Sequence, residues 1–292
     1  MDFFKYHGLG NDYLVLEPNR YTAPPGERAI GNICDRNRGV GADGILWGPM
    51  DPPTVSAEEG VVAAVRIFNP DGSEAEMSGN GLRIFAWHLW NRGLVQSECF
   101  GIGVSGGIVR ATIDRKSEGS VSVEMGRVRF DSASVPMTGP DREVLREKLT
   151  VGGTEWVING ANIGNPHCVV LCGEPDATVA QEVGPLIENH PIFPNRTNVQ
   201  FMSVLGKHRI AIVIWERGAG YTQASGSSSC AAAAVACRLG LCASPVTVEM
   251  PGGTLVVDLT DDFDTILTGT VCAVACGYFA PEFLSGLGMA HA

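Results

Sequence analysis

The hydrophobic residues of this chain fall mainly into short runs, many of them alternating with polar residues, which is the pattern of β-strands. Strands are predicted at residues 3–7, 12–17, 61–68, 120–125, 155–158, 167–172, 198–204, 209–215, 246–250 and 254–259. Helical periodicity is rarer, and it predicts helices at residues 27–36, 80–92, 179–189 and 227–239. The last of these is rich in alanine, a strong helix former. The mixture predicts an α+β fold in which sheet wraps around central helices.

The two halves of the chain share an order of segments. When the sequence is shifted by 147 residues without a gap, three pairs of segments coincide: Val65–Asn69 with Ile212–Glu216, Ser78-Gly79 with Ser225-Gly226, and Gly93-Leu94 with Gly240-Leu241. Each half reads strand, loop, Ser-Gly, helix, Gly-Leu, which favours a duplication over chance. We predict two pseudo-symmetric lobes, residues 1–125 and 126–275, with a tail at 276–292 that completes the first lobe or stands alone. Such lobes are expected to hold a ligand in a cleft.

The composition excludes several classes of protein. Of the 292 residues, 45% are hydrophobic and 18% are charged, which is typical of a globular protein and not of a disordered or fibrous one. The formal net charge of -11 would repel a phosphate backbone, so nucleic acid is not an expected partner. The first residues lack the pattern of a signal peptide, and no long uncharged apolar stretch follows. We therefore expect a cytoplasmic protein that does not enter a membrane.

The cysteines and glycines give no sign of a bound cofactor. The chain has nine cysteines, none of them in a CxxC pair, which predicts free, buried thiols and no metal site. There is no glycine-rich nucleotide motif with its acidic partner, no P-loop and no recognisable pyridoxal lysine. We expect no cofactor.

In both halves a Ser-Gly step opens a predicted helix. A helix start carries unpaired backbone N–H groups and the positive end of the helix dipole, so it attracts carboxylates. Serine is also a common N-cap, and for Ser78 or Ser225 alone that structural role explains the residue equally well. Because the step occurs twice, we predict a carboxylate cradle. Its expected N–H donors are Gly79, Asn80, Gly226 and Ser227.

Short polar runs beside glycine or proline accompany these helices. They are Gly8–Asp12, Asn69–Gly72, Gly164–His167, Arg196–Asn198 and Glu216–Gly218. Several amides and an arginine suit a zwitterionic amino acid, although each asparagine alone is more often a turn residue. His167 directly follows a Gly-Asn-Pro turn, and a core position, an exposed strand position and a site role all remain open for it.

Seven segments resemble the signature segments of the diaminopimelate epimerase family, in the family's order and over nearly the whole chain. They are FFKYHGLGNDYLVLE, ICDRNRGVGADGIL, RIFNPDGSEAEMSGNGLRIFA, IGNPHCVV, HPIFPNRTNVQF, WERGAGYTQASGSSSCAAAA and MPGGTLVV. The resemblance implies two similar lobes, each with a central helix. It also implies a pyridoxal-independent epimerisation, LL- to meso-diaminopimelate, in which one cysteine removes the α-proton and an opposite cysteine delivers a proton.

Both family cysteine positions hold serine in this chain, Ser78 and Ser225. The resemblance implies that His167 and Glu216 tune the two groups. It assigns substrate binding to Asn11, Asn69, Asn165, Asn198, Glu216 and Arg217, with Arg217 facing a distal carboxylate. A thiol of pKa about 8.5 is ionised readily near a helix start. An aliphatic alcohol ionises far above neutral pH and needs an adjacent base.

Three functions remain open from the sequence. The first is diaminopimelate epimerase activity in spite of the two serines. The second is a divergent isomerase or lyase that uses His167 or Glu216 as a single base, and the third is a non-catalytic amino-acid-binding protein. The neighbours of Ser225 also depart from the family's usual GETLACGTGAC, with Tyr221 for glutamate and Ser227 for threonine, which favours a natural branch over two engineered substitutions. The expected partner is a small amino acid, and a homodimer is an open alternative.

Overall fold

The structure is a computed structural model that describes residues 2–18, 23–52 and 60–289. The predicted first lobe and tail include residues 1, 19–22, 53–59 and 290–292, which lie outside the described residues. The chain divides into two units, Met1–Val123 with Gly269–Ala292, called unit 1, and Glu124–Thr268, called unit 2. No helix among the described residues is long and apolar enough to cross a membrane.

Unit 1 begins with strands and ends its first half on a central helix. Its elements are β1 (Asp2–Gly8), β2 (Asn11–Leu16), α1 (Glu27–Cys34), β3 (Ile45–Met50), β4 (Val61–Phe68), β5 (Glu74–Ala75), α2 (Gly79–Asn91), β6 (Cys99–Val104), β7 (Gly107–Ile113) and β8 (Ser120–Arg127). Strands β2 and β3 pair in parallel, as do β4 and β6, while β1–β2, β3–β4, β6–β7 and β7–β8 are antiparallel. Because Leu82, Ile84, Phe85 and Leu89 are all buried, α2 is a core helix.

Unit 2 has the same order of elements after one extra strand. They are β9 (Glu147–Val151), β10 (Thr154–Asn162), β11 (Pro166–Leu171), α3 (Ala177–Glu188), β12 (Asn198–Gly206), β13 (Arg209–Glu216), β14 (Gly220–Thr222), α4 (Gly226–Arg238), β15 (Val246–Met250), β16 (Gly253–Leu259) and β17 (Asp264–Thr270). Parallel pairs again occur at the corresponding places, β11–β12 and β13–β15. Every residue of α4 from Ser228 to Ala236 is buried, and its small alanines allow strands to pack closely around it.

The internal repeat predicted from the sequence is confirmed. Helices α2 and α4 begin at residues 79 and 226 and end at residues 91 and 238, so both bounds differ by the shift found in the sequence. The strands before and after each helix pair in the same directions in the two units. The α+β class predicted from the sequence is therefore correct, and the duplication extends to the strand pairing.

The predicted boundary at residue 275 is wrong. Strand β18 (Cys272–Tyr278) pairs antiparallel with β1, Asp2 opposite Tyr278, so residues 269–275 belong to unit 1. The tail continues into α5 (Pro281–Gly286), where Phe279 stacks on Phe283 and lies 5.1 Å from the ring of Phe3. The C-terminal segment completes unit 1 because its aromatic residues pack into that unit's core.

The sequence missed elements with weak hydrophobic patterns. The missed strands are β3, β5, β6, β7, β9, β14, β17 and β18, and the missed helix is α5. In β6 (CFGIGV) glycines interrupt the apolar run, and in β3 a Gly48-Pro49 step does the same. In β18 nearly every side chain is exposed, so the usual alternation is absent. These strands form because their neighbours in the sheet supply the hydrogen-bond partners.

Candidate active site

Ser78 is the N-cap of α2 and uses its hydroxyl for that purpose. Its backbone is extended, with φ -141° and ψ 114°, and its Oγ accepts a hydrogen bond from the Gly81 amide at 3.0 Å. The hydroxyl of Tyr13, which projects from β2, lies 3.3 Å from the same Oγ. A cap bond of this kind stabilises a helix by about 1 kcal/mol. Ser78 therefore has a structural bond and a phenol partner at once.

Side-chain amides fix the start of α2 against β2. The Asn80 Nδ2 donates to the backbone oxygen of Asn11 at 2.9 Å and to its Oδ1 at 2.8 Å. Asn11 in turn donates from Nδ2 to Asp43 at 2.9 Å. Gly8 leaves no room for a Cβ beside the Asn80 side chain, so this contact requires glycine. Of the predicted donors, Gly79 and Asn80 do occupy the first turn of α2, and the Asn11 side chain serves to hold that turn in place.

Two further polar residues of the predicted runs in unit 1, Asp12 and Asn69, form contacts within that unit. The carboxylate of Asp12 forms ion pairs with Lys5 at 2.9 Å and with Arg36 at 2.7 Å. Burial would raise the pKa of Asp12, but the hydrogen bonds from Arg36 and Lys5 outweigh burial and lower that pKa to about 2. Asn69 donates from Nδ2 to the hydroxyl of Ser73 within its own turn. The predicted binding role of Asn69 stays a prediction.

Ser225 is the N-cap of α4 by position, with φ -151° and ψ 128°, but its side chain makes no cap bond. Its hydroxyl instead donates to the carboxylate of Glu216, at the end of β13. Burial raises the pKa of Glu216, and the bond from Ser225 offsets part of that rise. Gly226 and Ser227, the other predicted donors, form the first turn of α4. The two serines therefore share a backbone position and differ in what their hydroxyls bind.

His167 is a core residue of β11 and is completely buried. Its Nε2 lies 2.9 Å from Oδ1 of Asn165, and its Nδ1 lies 3.1 Å from Nε2 of Gln200. Burial lowers the pKa of His167 to about 3, the Gln200 bond acts the other way, and Arg217 lowers it further. The ring is neutral at neutral pH, and in this arrangement neither nitrogen is free to take a proton from a substrate.

Asn198 ties two segments of unit 2 together. It is buried, its Nδ2 donates to the backbone oxygen of Pro166 at 2.9 Å, and its Oδ1 accepts from the amide of Arg217 at 2.9 Å. Both ends of the side chain are thus bonded to backbone. Asn198, predicted to bind substrate, thus holds the start of β11 next to the backbone of Arg217.

Arg217 itself is exposed and presents its guanidinium at the surface of unit 2. One bond, from Nη1 to the backbone oxygen of Asn195 at 3.1 Å, orients it. The loop after it is held by the buried Glu188, which accepts from Trp215 at 2.6 Å and from the Gly218 amide at 3.0 Å. Among the described residues, no acidic side chain forms an ion pair with Arg217 within 4.0 Å.

Three residues at the site were not found from the sequence: Tyr13, Glu188 and Gln200. Gln200 occupies a fully buried position of β12, two residues after Asn198, and in the parallel pair β11–β12 His167 lies opposite Asn198. A polar residue two places along the same strand face was the available signal. It was not usable without the strand pairing.

The cysteines form no disulfide bond among the described residues. All nine cysteines are free, as predicted, and Cys230 is buried in α4. The prediction that they are buried is wrong for Cys99, Cys272 and Cys276, whose side chains are exposed. Within residues 2–18, 23–52 and 60–289, no three histidine, cysteine, aspartate or glutamate side chains are grouped as they would be around a metal ion.

Several solved structures share the fold of this chain. A hydroxyproline epimerase from Agrobacterium vitis, with bound trans-4-hydroxy-L-proline, has a TM-score of 0.68 at 14% identity over 95% of this chain and 91% of that chain. A probable proline racemase from Agrobacterium radiobacter K84 has a TM-score of 0.68 at 15% identity, over 100% of this chain and 96% of that chain. At such identities the likeness concerns the fold alone.

Sequence relatives are much closer. The profile of the family described as diaminopimelate epimerase matches residues 3–130 and 160–274. Diaminopimelate epimerase 2 of Nostoc sp. (strain PCC 7120) is 50% identical over 285 residues, 98% of this chain and 98% of that protein. Diaminopimelate epimerase of Desulforudis audaxviator is 39% identical over 267 residues, 90% of this chain and 92% of that protein. The chain belongs to the diaminopimelate epimerase family.

Proposed function

We propose that this chain is a cofactor-independent, and therefore pyridoxal-independent, amino-acid epimerase that interconverts LL- and meso-diaminopimelate in the supply of lysine and cell-wall precursors. The observation that carries the proposal is the repeated helix start, in which Ser78 and Ser225 occupy the N-cap positions of two equivalent central helices. Relatives at 50% and 39% identity that are named diaminopimelate epimerases support the substrate.

The reaction breaks the α C–H bond of one stereocentre and forms a C–H bond on its opposite face. The electron pair left behind spreads into the α-carboxylate, which gains negative charge in the transition state. Backbone N–H groups at a helix start stabilise such charge. The proposed donors are Gly79, Asn80, Gly226 and Ser227. The exposed guanidinium of Arg217 is the proposed partner of the distal carboxylate.

Proton transfer by serine requires an ionisable neighbour, because an alcohol is not a useful base at neutral pH. Ser225 has such a neighbour in Glu216, a carboxyl group whose pKa burial raises above its ordinary value. This contact also favours the second candidate function, a divergent isomerase or lyase that uses Glu216 as its single base. His167 is not proposed as that base, since both of its nitrogens are bonded.

Proton exchange separates the candidate functions. The protein is incubated with single stereoisomers of diaminopimelate, and then of other amino acids, in deuterated water. Exchange of the α-proton with inversion supports the epimerase, and exchange without inversion supports a single-base enzyme. Absence of exchange, together with binding measured by calorimetry, supports an amino-acid-binding protein and contradicts the proposed reaction.

We also propose that the protein acts in the cytoplasm and that it is a homodimer. Strand β18 supports the dimer, because Tyr278 is 81% exposed and Val274 is 52% exposed on one strand of unit 1. Large apolar residues exposed together in this way mark contact surfaces. Analytical ultracentrifugation of the wild type should give a dimer, and Tyr278→Asp should shift the equilibrium to monomer. Circular dichroism should show that the fold of the variant is unchanged. A monomeric wild type contradicts the proposal.

A further inference from the structure

Four polar side chains form a hydrogen-bonded network through the interior of unit 2. Asn165 bonds His167, His167 bonds Gln200, and Gln200 donates to the hydroxyl of Ser228 at 3.0 Å. His167, Gln200 and Ser228 are completely buried, while Asn165 at the other end is partly exposed. Ser228 lies in the first turn of α4, so this network joins the start of that helix to Asn165, which reaches the surface of the unit.

The orientation of the Gln200 amide decides where the His167 ring carries its proton. As placed, Nε2 of Gln200 uses both N–H groups, one toward Nδ1 of His167 and one toward Ser228. Oε1 of Gln200 is then the buried atom without a hydrogen-bond partner among the described residues. The reverse orientation would leave two N–H donors unpaired instead. Buried unpaired N–H groups are rarer than under-satisfied carbonyl oxygens, so the placed orientation is the more stable one.

A ring whose Nδ1 accepts a hydrogen bond carries its proton on Nε2. That N–H points to Oδ1 of Asn165, 2.9 Å away, and occupies that oxygen. The end of the Asn165 amide that remains for a ligand is its NH2 group, which only donates. A carboxylate only accepts, so an Asn165 held in this orientation is complementary to a carboxylate, whereas the reversed amide would repel it.

We propose that His167 is a positioning residue and not an acid or base: Gln200 holds it in the Nε2–H tautomer, and the ring then fixes the Asn165 amide as a donor to a substrate carboxylate. The inference rests on the proposed function for the identity of the ligand, and on the contacts of unit 2 for the tautomer. It assigns a role to Gln200 and Ser228, which lie too deep to touch a ligand themselves. It also explains why a histidine with no free nitrogen lies beside a ligand-facing residue.

The first test reads the tautomer directly. Protein labelled with 15N-histidine is examined by two-dimensional 1H–15N NMR, and the His167 signals are assigned by their loss in His167→Leu. The expected spectrum has a pyridine-like Nδ1 and a protonated, pyrrole-like Nε2. In Gln200→Glu the new carboxylate can only accept a hydrogen bond from the ring, so the proton should lie on Nδ1. The matched control is Gln181→Glu, the same substitution on the exposed side of α3, which should leave the spectrum unchanged. A protonated Nδ1 in the wild type overturns the inference.

The second test reads the consequence for the ligand. Calorimetry with diaminopimelate should show binding weakened about tenfold or more in Gln200→Glu, with Gln181→Glu equal to wild type. Asn165→Asp keeps an oxygen for His167 and removes the donor, so it should weaken binding at least as much without changing the tautomer. Because Gln200→Glu places a carboxyl in the core, its fold is checked by circular dichroism, and Asn165→Asp carries the test if that variant is unfolded.

The outcomes separate this inference from the proposed function. If the wild type binds no diaminopimelate, the proposed substrate is wrong, and the spectra alone decide whether Gln200 sets the tautomer. If diaminopimelate binds equally well to wild type and to Asn165→Asp, the positioning role is wrong whatever the tautomer. For an active enzyme, the change in Gln200→Glu is expected mainly in KM and not in kcat, because the affected bond is made in the ground state as well.

Discussion

The same substitution, serine to alanine, is expected to have different effects at the two helix starts. Ser78 accepts from the Gly81 amide at 3.0 Å and contacts the phenol of Tyr13 at 3.3 Å. Neither a backbone amide nor a phenol ordinarily changes charge near neutral pH. Ser78→Ala should therefore reduce the local stability of α2 by about 1 kcal/mol, the usual value of a lost cap, and by the same amount at about pH 4 and about pH 8.

At Ser225 the effect should depend on pH. The serine makes no cap bond and donates to Glu216, whose pKa is raised above its ordinary value of 4.5. At about pH 4 the carboxyl is protonated, and the bond contributes about 1 kcal/mol, as between neutral groups. Above the folded-state pKa the carboxylate is charged and the bond contributes about 2 kcal/mol. The cost of Ser225→Ala should thus grow as the pH rises, because the Ser225 hydroxyl stabilises the ionised carboxylate, the form that burial disfavours.

Hydrogen–deuterium exchange read by mass spectrometry measures both effects, since peptides from α2 and α4 report the two helices separately. A difference of about 1 kcal/mol changes protection about fivefold after correction for intrinsic exchange. In a Glu216→Gln background the amide still accepts from Ser225 and does not titrate, so the pH dependence should disappear. If Ser225→Ala costs the same at both pH values, or if the cost of Ser78→Ala varies with pH, the assignment of the two hydroxyls is wrong.

Three further changes test the proposed reaction. Ser78→Cys combined with Ser225→Cys should raise epimerisation of diaminopimelate at least about tenfold, and either change alone should do little, because a thiol of pKa about 8.5 ionises where an alcohol does not. A double variant that binds diaminopimelate but shows neither exchange of the α-proton nor inversion would contradict the proposed reaction. Arg217→Met should weaken diaminopimelate binding in calorimetry about tenfold more than alanine binding, with the exposed Lys148→Met as control, and equal losses would make Arg217 structural. Glu216→Gln should remove the rise of kcat/KM with pH through the raised pKa of Glu216, since the protonated carboxyl cannot act as base.

The sequence predicted the parts of the fold that have strong local patterns. Alternation in β4 and the alanine-rich run of α4 each identify an element by themselves. The strand β18 is different, since nearly all its side chains are exposed and its place is set by pairing with β1 at the far end of the chain. No local window contains that information, which is why the predicted boundary at residue 275 was wrong.

The positions of the two helix starts were predictable from the sequence, and the bonds around them were not. The Ser-Gly repeat located both helix starts, because capping is a local effect of sequence. The partners of Ser78 and Ser225 come from other strands, β2 and β13, and depend on the packing of each unit. Gln200 was missed for the same reason, since its contact with His167 exists only in the register of β11 with β12.

The two helix starts show how a duplicated backbone can hold different chemistry. Both serines have extended backbones before helices of equal length, although Ser78 caps the Gly81 amide and Ser225 makes no cap bond. The partner that each strand brings to the hydroxyl also differs, a phenol in unit 1 and a partly buried carboxyl group in unit 2. An alcohol depends on such a partner for any proton transfer, whereas a thiol near a helix start does not. With serine at both positions, the proposed base of unit 2 is therefore Glu216, and Ser225 acts as its hydrogen-bond partner.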